Sequence, residues 1–338
     1  MKSPWSIARD LPPAAFSLVM ATGIVSTAAQ LLGWQTLSWA LFILNLVFYC
    51  ALVMLLLMRV VRFRDRFHAD FRSHARAAGF MSIVAATAIV GTEFVVRWDR
   101  PAVALVLWCT SLLLWVALVY GFFAVMTVLR DKPPLEEGLN ASWMLLVVST
   151  QSVSVLGTLI SPALGSLADA MLAFTTAMFL LGCMFYMLLF SLILYRFLFF
   201  ELDVVRMSPP YWINMGAVAV TTLAGSLLVL HSSGAQLTGE LVPFIRGFTL
   251  LFWATATWWF PLLLILGAWR HIVHRVPFSY SIEYWSMVFP LGMYSVATYR
   301  LTEALGWEFL VPLPLAVGWV AVAAWVVTFF AMGTGREI

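Results

Sequence analysis

Pro101-Ala-Val-Ala-Leu-Val-Leu-Trp-Cys-Thr-Ser-Leu-Leu-Leu-Trp-Val-Ala-Leu-Val-Tyr-Gly-Phe-Phe-Ala-Val-Met-Thr-Val128 carries no charged residue from end to end. A helix crosses the hydrocarbon core of a bilayer in roughly 20 apolar residues, and this stretch exceeds that length. Inside lipid each backbone N–H and C=O must be satisfied by the segment itself, which a helix achieves and a lone strand does not. A barrel strand would alternate in polarity over about 10 residues, and no alternation is present. Residues 101–128 therefore read as a transmembrane helix, framed by Arg97, Asp99 and Arg100 before it and Arg130, Asp131 and Lys132 after it.

The rest of the chain repeats this pattern. Of its 338 residues 63% are hydrophobic and 10% charged, against about 25% charged in a soluble domain. Apolar runs predict ten transmembrane helices in one all-α domain over 1–338: 15–32, 38–60, 77–96, 101–128, 141–161, 169–198, 211–230, 246–270, 283–303 and 311–332. The first run lacks a clear cleavage site and is kept as a helix. Of the 19 Lys and Arg, only Arg97, Arg100, Arg246 and Arg300 fall after odd-numbered helices. Lys and Arg gather on the cytoplasmic side, so both termini are expected there, with the helices forming five hairpins. The arginine cluster between residues 59 and 76 reads as a topology signal.

Composition alternates along the chain. Odd helices are richer in Gly, Ala, Ser and Thr, and even ones in Leu, Phe and Trp. Small residues let membrane helices approach closely, which places the odd helices inside, around a path, and the even ones outside. Prolines precede or open four odd helices, at Pro12-Pro13, Pro133-Pro134, Pro209-Pro210 and Pro277. Five helix N-termini gathered at one mouth would favour anions. The polar residues expected along the path are Thr22, Ser26, Thr87, Gln151, Thr221 and Thr298. Glu93 and Arg300 lie toward the outer ends of their helices, either as a structural ion pair or as substrate contacts. Pro290 interrupts the ninth helix next to Phe289 and removes a backbone hydrogen bond. Most of the sixteen tryptophans fit anchoring at the membrane interface.

Several classes are excluded. None of the five histidines lies within a span, and the three cysteines Cys50, Cys109 and Cys183 are far apart. No metal, haem or other cofactor is therefore expected. Nucleotide-binding and hydrolase motifs are missing, so the chain reads as a transporter and not an enzyme.

Three stretches resemble the tellurite-resistance/dicarboxylate transporter family, which groups tellurite-resistance channel homologues, malate permeases, sulfite pumps and plant slow anion channels. They are Leu11-Pro-Pro-Ala-Ala-Phe-Ser-Leu-Val-Met-Ala-Thr-Gly-Ile-Val-Ser26, Pro133 to Trp143 leading into Ser149-Thr-Gln-Ser152, and Tyr284-Trp-Ser-Met-Val-Phe-Pro-Leu-Gly-Met-Tyr-Ser-Val-Ala-Thr-Tyr-Arg-Leu301. The resemblance implies a homotrimer in a bacterial inner membrane, each protomer with its own pore lined by the odd helices. It implies that Phe289, beside Pro290, occludes that pore and that Gly23 lies close to it. The expected substrates are small anions, C4-dicarboxylates such as malate or inorganic monovalent anions. Tellurite resistance follows from the family name alone. A saturable sulfite exporter or proton-coupled dicarboxylate carrier is the second reading, and an embedded enzyme or sensor the third.

Overall fold

The structure, a computed structural model, describes residues 3–201, 209–232, 235–277 and 280–334. Among the described residues there is no strand. Ten long helices run through the described residues: α1 (Ser17–Leu31), α2 (Gln35–Arg62), α3 (Ser82–Trp98), α4 (Pro101–Val128), α5 (Leu145–Ile160), α6 (Ala168–Phe199), α7 (Ile213–Ser232), α8 (Val242–Ala268), α9 (Trp285–Leu305) and α10 (Pro312–Thr334). They coincide with the expected spans to within a turn or so. Among the described residues eight helical stretches are long and apolar enough to cross a membrane. One of the eight, Ala141–Phe199, holds both α5 and α6, and α9 is not among them. The polar residues of α9, from Ser295 to Glu303, lower its hydropathy.

The helices sort into two layers. α1, α3, α5, α7 and α9 touch in that order, and α9 packs back against α1 to close a ring. Each of α2, α4, α6, α8 and α10 packs on the helix before it, outside the ring. The apolar windows of α1, α3 and α7 are 83%, 78% and 94% buried, against 22% for α2, α4 and α8. The outward faces of the outer helices carry Leu57, Leu113, Leu188, Leu251 and Phe330. Lipid tails are as apolar as these residues, so the layers are held by close packing and interhelical hydrogen bonds. Gly157 of α5 shows how close: a Cβ there would lie 2.5 Å from Thr175 Cγ2 and 2.7 Å from Trp108 Nε1. At the turn between α5 and α6, Gly165 takes φ 54° and ψ −116°, a conformation a side chain would resist.

Every inner helix opens with a 3-10 turn, at Pro13–Phe16, Ala77–Met81, Ala141–Met144, Pro209–Trp212 and Ile282–Tyr284. Proline suits such a start because its fixed φ is already helical and no bonded N–H is lost. Within the cluster read as a topology signal, Arg59 is buried and donates to the Leu11 carbonyl and the Asp70 carboxylate. Arg76 reaches the same carboxylate at 2.8 Å. These arginines thus also tie the α2–α3 connection to the start of α1.

Aromatic side chains on the outer helices bond the ring from behind. Tyr49 of α2 meets Thr87 of α3 at 3.0 Å, and Trp115 of α4 donates to Thr150 of α5 at 2.8 Å. Trp253 of α8 donates to Thr298 of α9 at 3.1 Å, and Trp325 of α10 to Thr22 of α1 at 3.0 Å. Each of these bonds links one helical pair to the next. The expectation of interfacial anchoring does not hold for Trp115, Trp253 and Trp325, whose indole N–H groups are spent inside the protein.

Candidate functional site

Two cavities lie within the ring of inner helices. The first, the wider of the two, is a vestibule at the helix starts that opens to solvent. It is bordered by Pro12 and Pro13 before α1, Gly79 before α3, Asn140 and Ser142 before α5, Tyr211 before α7, and Ser286 at the start of α9. The second, with room for about 30 Å³ of water-sized groups, lies toward the helix C-terminal ends. All five inner helices line it: Ile24 and Thr27 of α1, Ile89 and Thr92 of α3, Ser152 and Val155 of α5, Val220 and Leu223 of α7, Met293 and Val296 of α9.

Phe289 lines neither cavity, but along α9 it falls between residues that do. On α9, Ser286 faces the vestibule and Met293 the second cavity, and Phe289 with Pro290 occupies the turn between them. Phe289 is 1% exposed. Across from it stands Gly216 of α7, where a Cβ would lie 2.9 Å from Pro290 Cγ and 3.1 Å from Phe289 Cε1. Gly292 sets the other contact, since a Cβ there would lie 2.9 Å from Ile24 Cγ2 of α1. Below the ring, Ser286 Oγ donates to Ser17 Oγ at 3.3 Å. Pro290 has no N–H to give to the Ser286 carbonyl. The aromatic ring is therefore wedged against the bare backbone at Gly216, and the Ser286 carbonyl loses the bond that a residue other than proline would give it.

The second cavity is weakly polar by construction. The hydroxyls of Thr27, Thr92 and Ser152 donate to the Gly23, Ala88 and Val148 carbonyls of their own helices, at 2.9, 3.0 and 2.8 Å. An anion needs donors, and these protons are already used. Arg300 is the charged residue on this lining, and it pairs with Glu303 at 2.7 Å.

The residues expected to line the path are placed differently. Thr22, Thr87 and Thr298 face outer helices through the bonds given above. Gln151 donates to the Phe179 carbonyl of α6 at 3.0 Å. Ser26 donates to the Ser38 carbonyl of α2 at 2.8 Å. Gly23 packs against α2 and α3, where a Cβ would meet Ile89 Cγ2 at 2.5 Å and Asn45 Nδ2 at 2.6 Å. Thr221 donates to the Ala217 carbonyl at 2.8 Å; it does not border the second cavity. For Thr22, Ser26, Thr87, Gln151 and Thr298 the physical reason is common: a hydroxyl or amide buried in an inner helix needs a partner, and the outer helices supply one. Thr221 is satisfied within its own helix. The residues that do border the cavity, Thr27, Thr92 and Ser152, sit on a neighbouring face of the same helices. Gly216 escaped sequence reading, because only the fold brings it beside the Phe-Pro pair.

The Glu93–Arg300 pair is likewise corrected. Glu93 pairs with Arg97, one turn along the same helix, at 3.6 Å, and accepts from Asn45 Nδ2 at 2.6 Å. Arg97 also donates to the Ser26 and Ser38 hydroxyls, both at 2.6 Å. Glu93 and Arg97 point toward α2, behind the wall, whereas Arg300 points into the cavity mouth. Among the described residues no cluster of ligands could hold a metal ion.

A family model described as voltage-dependent anion channel matches residues 10–333. An uncharacterized membrane protein of Mycobacterium tuberculosis is 41% identical over 142 residues, covering 42% of this chain and 72% of its own. An uncharacterized transporter of Methanocaldococcus jannaschii is 21% identical over 321 residues, covering 93% of this chain and 91% of its own. A protein of Trichophyton rubrum named as a sulfite efflux pump is 22% identical over 353 residues, covering 97% of this chain and 91% of its own. With the match running over nearly its whole length, the chain belongs to the voltage-dependent anion channel family.

Proposed function

We propose that this protein passes small anions across a bacterial inner membrane through a path that Phe289 closes. The chain crosses the membrane ten times as one domain of five hairpins, with both termini in the cytoplasm, as the distribution of Lys and Arg supports. The vestibule at the helix starts is then the cytoplasmic mouth, and the second cavity opens outward. Each protomer of a homotrimer carries its own path. The observation that carries this reading is the position of Phe289, wedged against Gly216 between two cavities that the same five helices enclose. Pro290 sets the angle at which the ring enters. Passage is passive, and the substrates are inorganic monovalent anions or C4-dicarboxylates such as malate. A lining whose hydroxyl protons are already bonded suits fast, weakly discriminating flux.

A saturable carrier is the second reading. It is favoured by the fungal relatives named as sulfite efflux pumps, which align along 97% of this chain. Flux of labelled chloride, sulfite and malate into proteoliposomes separates the two. Flux that rises without saturation and ignores a pH gradient supports the channel. Saturating, pH-driven flux supports the carrier. Silence toward every anion contradicts both and favours an embedded enzyme or sensor.

A further inference from the structure

Arg196 belongs to an outer helix, α6, yet its side chain borders the vestibule at the starts of the inner helices. It is only 7% exposed. Nε donates to the Glu136 carbonyl at 3.0 Å, and Nη1 donates to the Tyr211 hydroxyl. The guanidinium carbon lies 5.9 Å from the centre of the Tyr211 ring. Among the described residues no carboxylate forms an ion pair with Arg196, and Nη2 has no hydrogen-bond partner and is not fully buried.

A cation taken out of water without a counter-charge is costly, and such sites are completed by an anion or by very good hydrogen bonding. Here one amino group of the guanidinium is left over. A phenol that accepts from an arginine also keeps its own proton to donate. A charged N–H donor and a neutral O–H donor thus stand together at the vestibule wall.

Other charged groups share this lining. Asp10, Glu137 and Glu283 are exposed, Glu136 is half-buried, and Arg76 is engaged with Asp70. Exposed carboxylates act through water and salt, which screen them over about 8 Å at physiological ionic strength. The buried guanidinium is screened far less, so the local preference at Arg196 is for negative charge.

We propose that Arg196 and Tyr211 form an oxyanion-binding site at this mouth, which takes a carboxylate or inorganic oxyanion before it reaches Phe289. An N–H and an O–H donor held side by side match two oxygens of one anion better than they match a halide. The passage that follows binding rests on the transport reading above; the binding itself does not.

The test is equilibrium binding of labelled malate and labelled sulfite to the purified full chain, with chloride as competitor. It is run beside proteoliposome flux of the same anions. The site predicts that Arg196→Gln weakens binding of at least one of the two by about tenfold or more, and Tyr211→Phe by about threefold, the scale of one charge-assisted and one neutral hydrogen bond. Equal concentrations of chloride should displace neither label. Unchanged affinity in both folded variants overturns the site, as does absence of saturable binding to the wild type. Should Arg196→Gln not fold, Tyr211→Phe decides, because it removes one proton donor and keeps the ring. Binding that responds as expected beside a complete lack of flux would instead sink the transport reading and leave this site standing.

Discussion

Trp325, on the last helix, donates its indole N–H to Thr22, on the first, at 3.0 Å. The two residues stand 303 positions apart in the chain, and their bond fastens α10 to α1 where the ring closes. It also explains why Thr22 does not serve the path: its oxygen is turned outward, to a partner in the outer layer.

The bond is expected to serve stability. Thr22→Val should lower stability by about 1 kcal/mol, the net value of a hydrogen bond plus some desolvation of the orphaned indole. Thermal unfolding in detergent measures this. Anion currents in a conducting background should be unchanged.

Glu93 and Arg97 are wholly buried behind the wall. Arg97→Met leaves the Glu93 carboxylate buried beside Asn45 without its cation, and should cost about 3–5 kcal/mol. Adding Glu93→Gln should recover much of that loss. The comparison is a double-mutant cycle on unfolding midpoints, and simple additivity would contradict the pairing.

At the cavity mouth Arg300 is a quarter exposed and paired with Glu303, so Arg300→Gln should change stability by less than about 1 kcal/mol. Its effect belongs to electrostatics: anion current driven from the α9 C-terminal side should fall by about twofold at low salt and recover as salt screens the field. Glu303→Gln, which unmasks the arginine, should shift that current upward.

Gly216 and Phe289 should be energetically coupled. Gly216→Ala forces a methyl against Phe289 and Pro290 and should cost about 1–3 kcal/mol, as overpacking does. In a Phe289→Ala background the cost should shrink, because the ring that the methyl strikes is gone. Equal costs in both backgrounds would show that Phe289 does not press on α7.

How much of this was legible in the sequence follows from what each signal measures. Helix positions were, because a run such as 101–128 has no alternative inside lipid. The inner and outer layers were too, since Gly, Ala, Ser and Thr permit approaches such as that of Gly157 to Trp108. The direction of each polar side chain was not. On α1, Thr22 faces α10 and Thr27 faces the cavity, yet both are threonines on one apolar helix. Only the position of a partner such as Trp325, far away in the chain, distinguishes them. The same holds for Glu93, whose partner was one turn away on its own helix and not on α9. Phe289 stood out through the Phe-Pro motif and the family resemblance, whereas Gly216 opposite it had no marker except its size.

The central claim, that the ring of Phe289 is what closes the path, is tested most directly by current through the purified protein in planar bilayers, wild type beside Phe289→Ala. Chloride, nitrate and malate would be compared on the two sides. The account predicts a nearly silent wild type and large, anion-selective, non-saturating currents once the ring is removed. A folded Phe289→Ala protein that stays as silent as the wild type toward all three anions would contradict it.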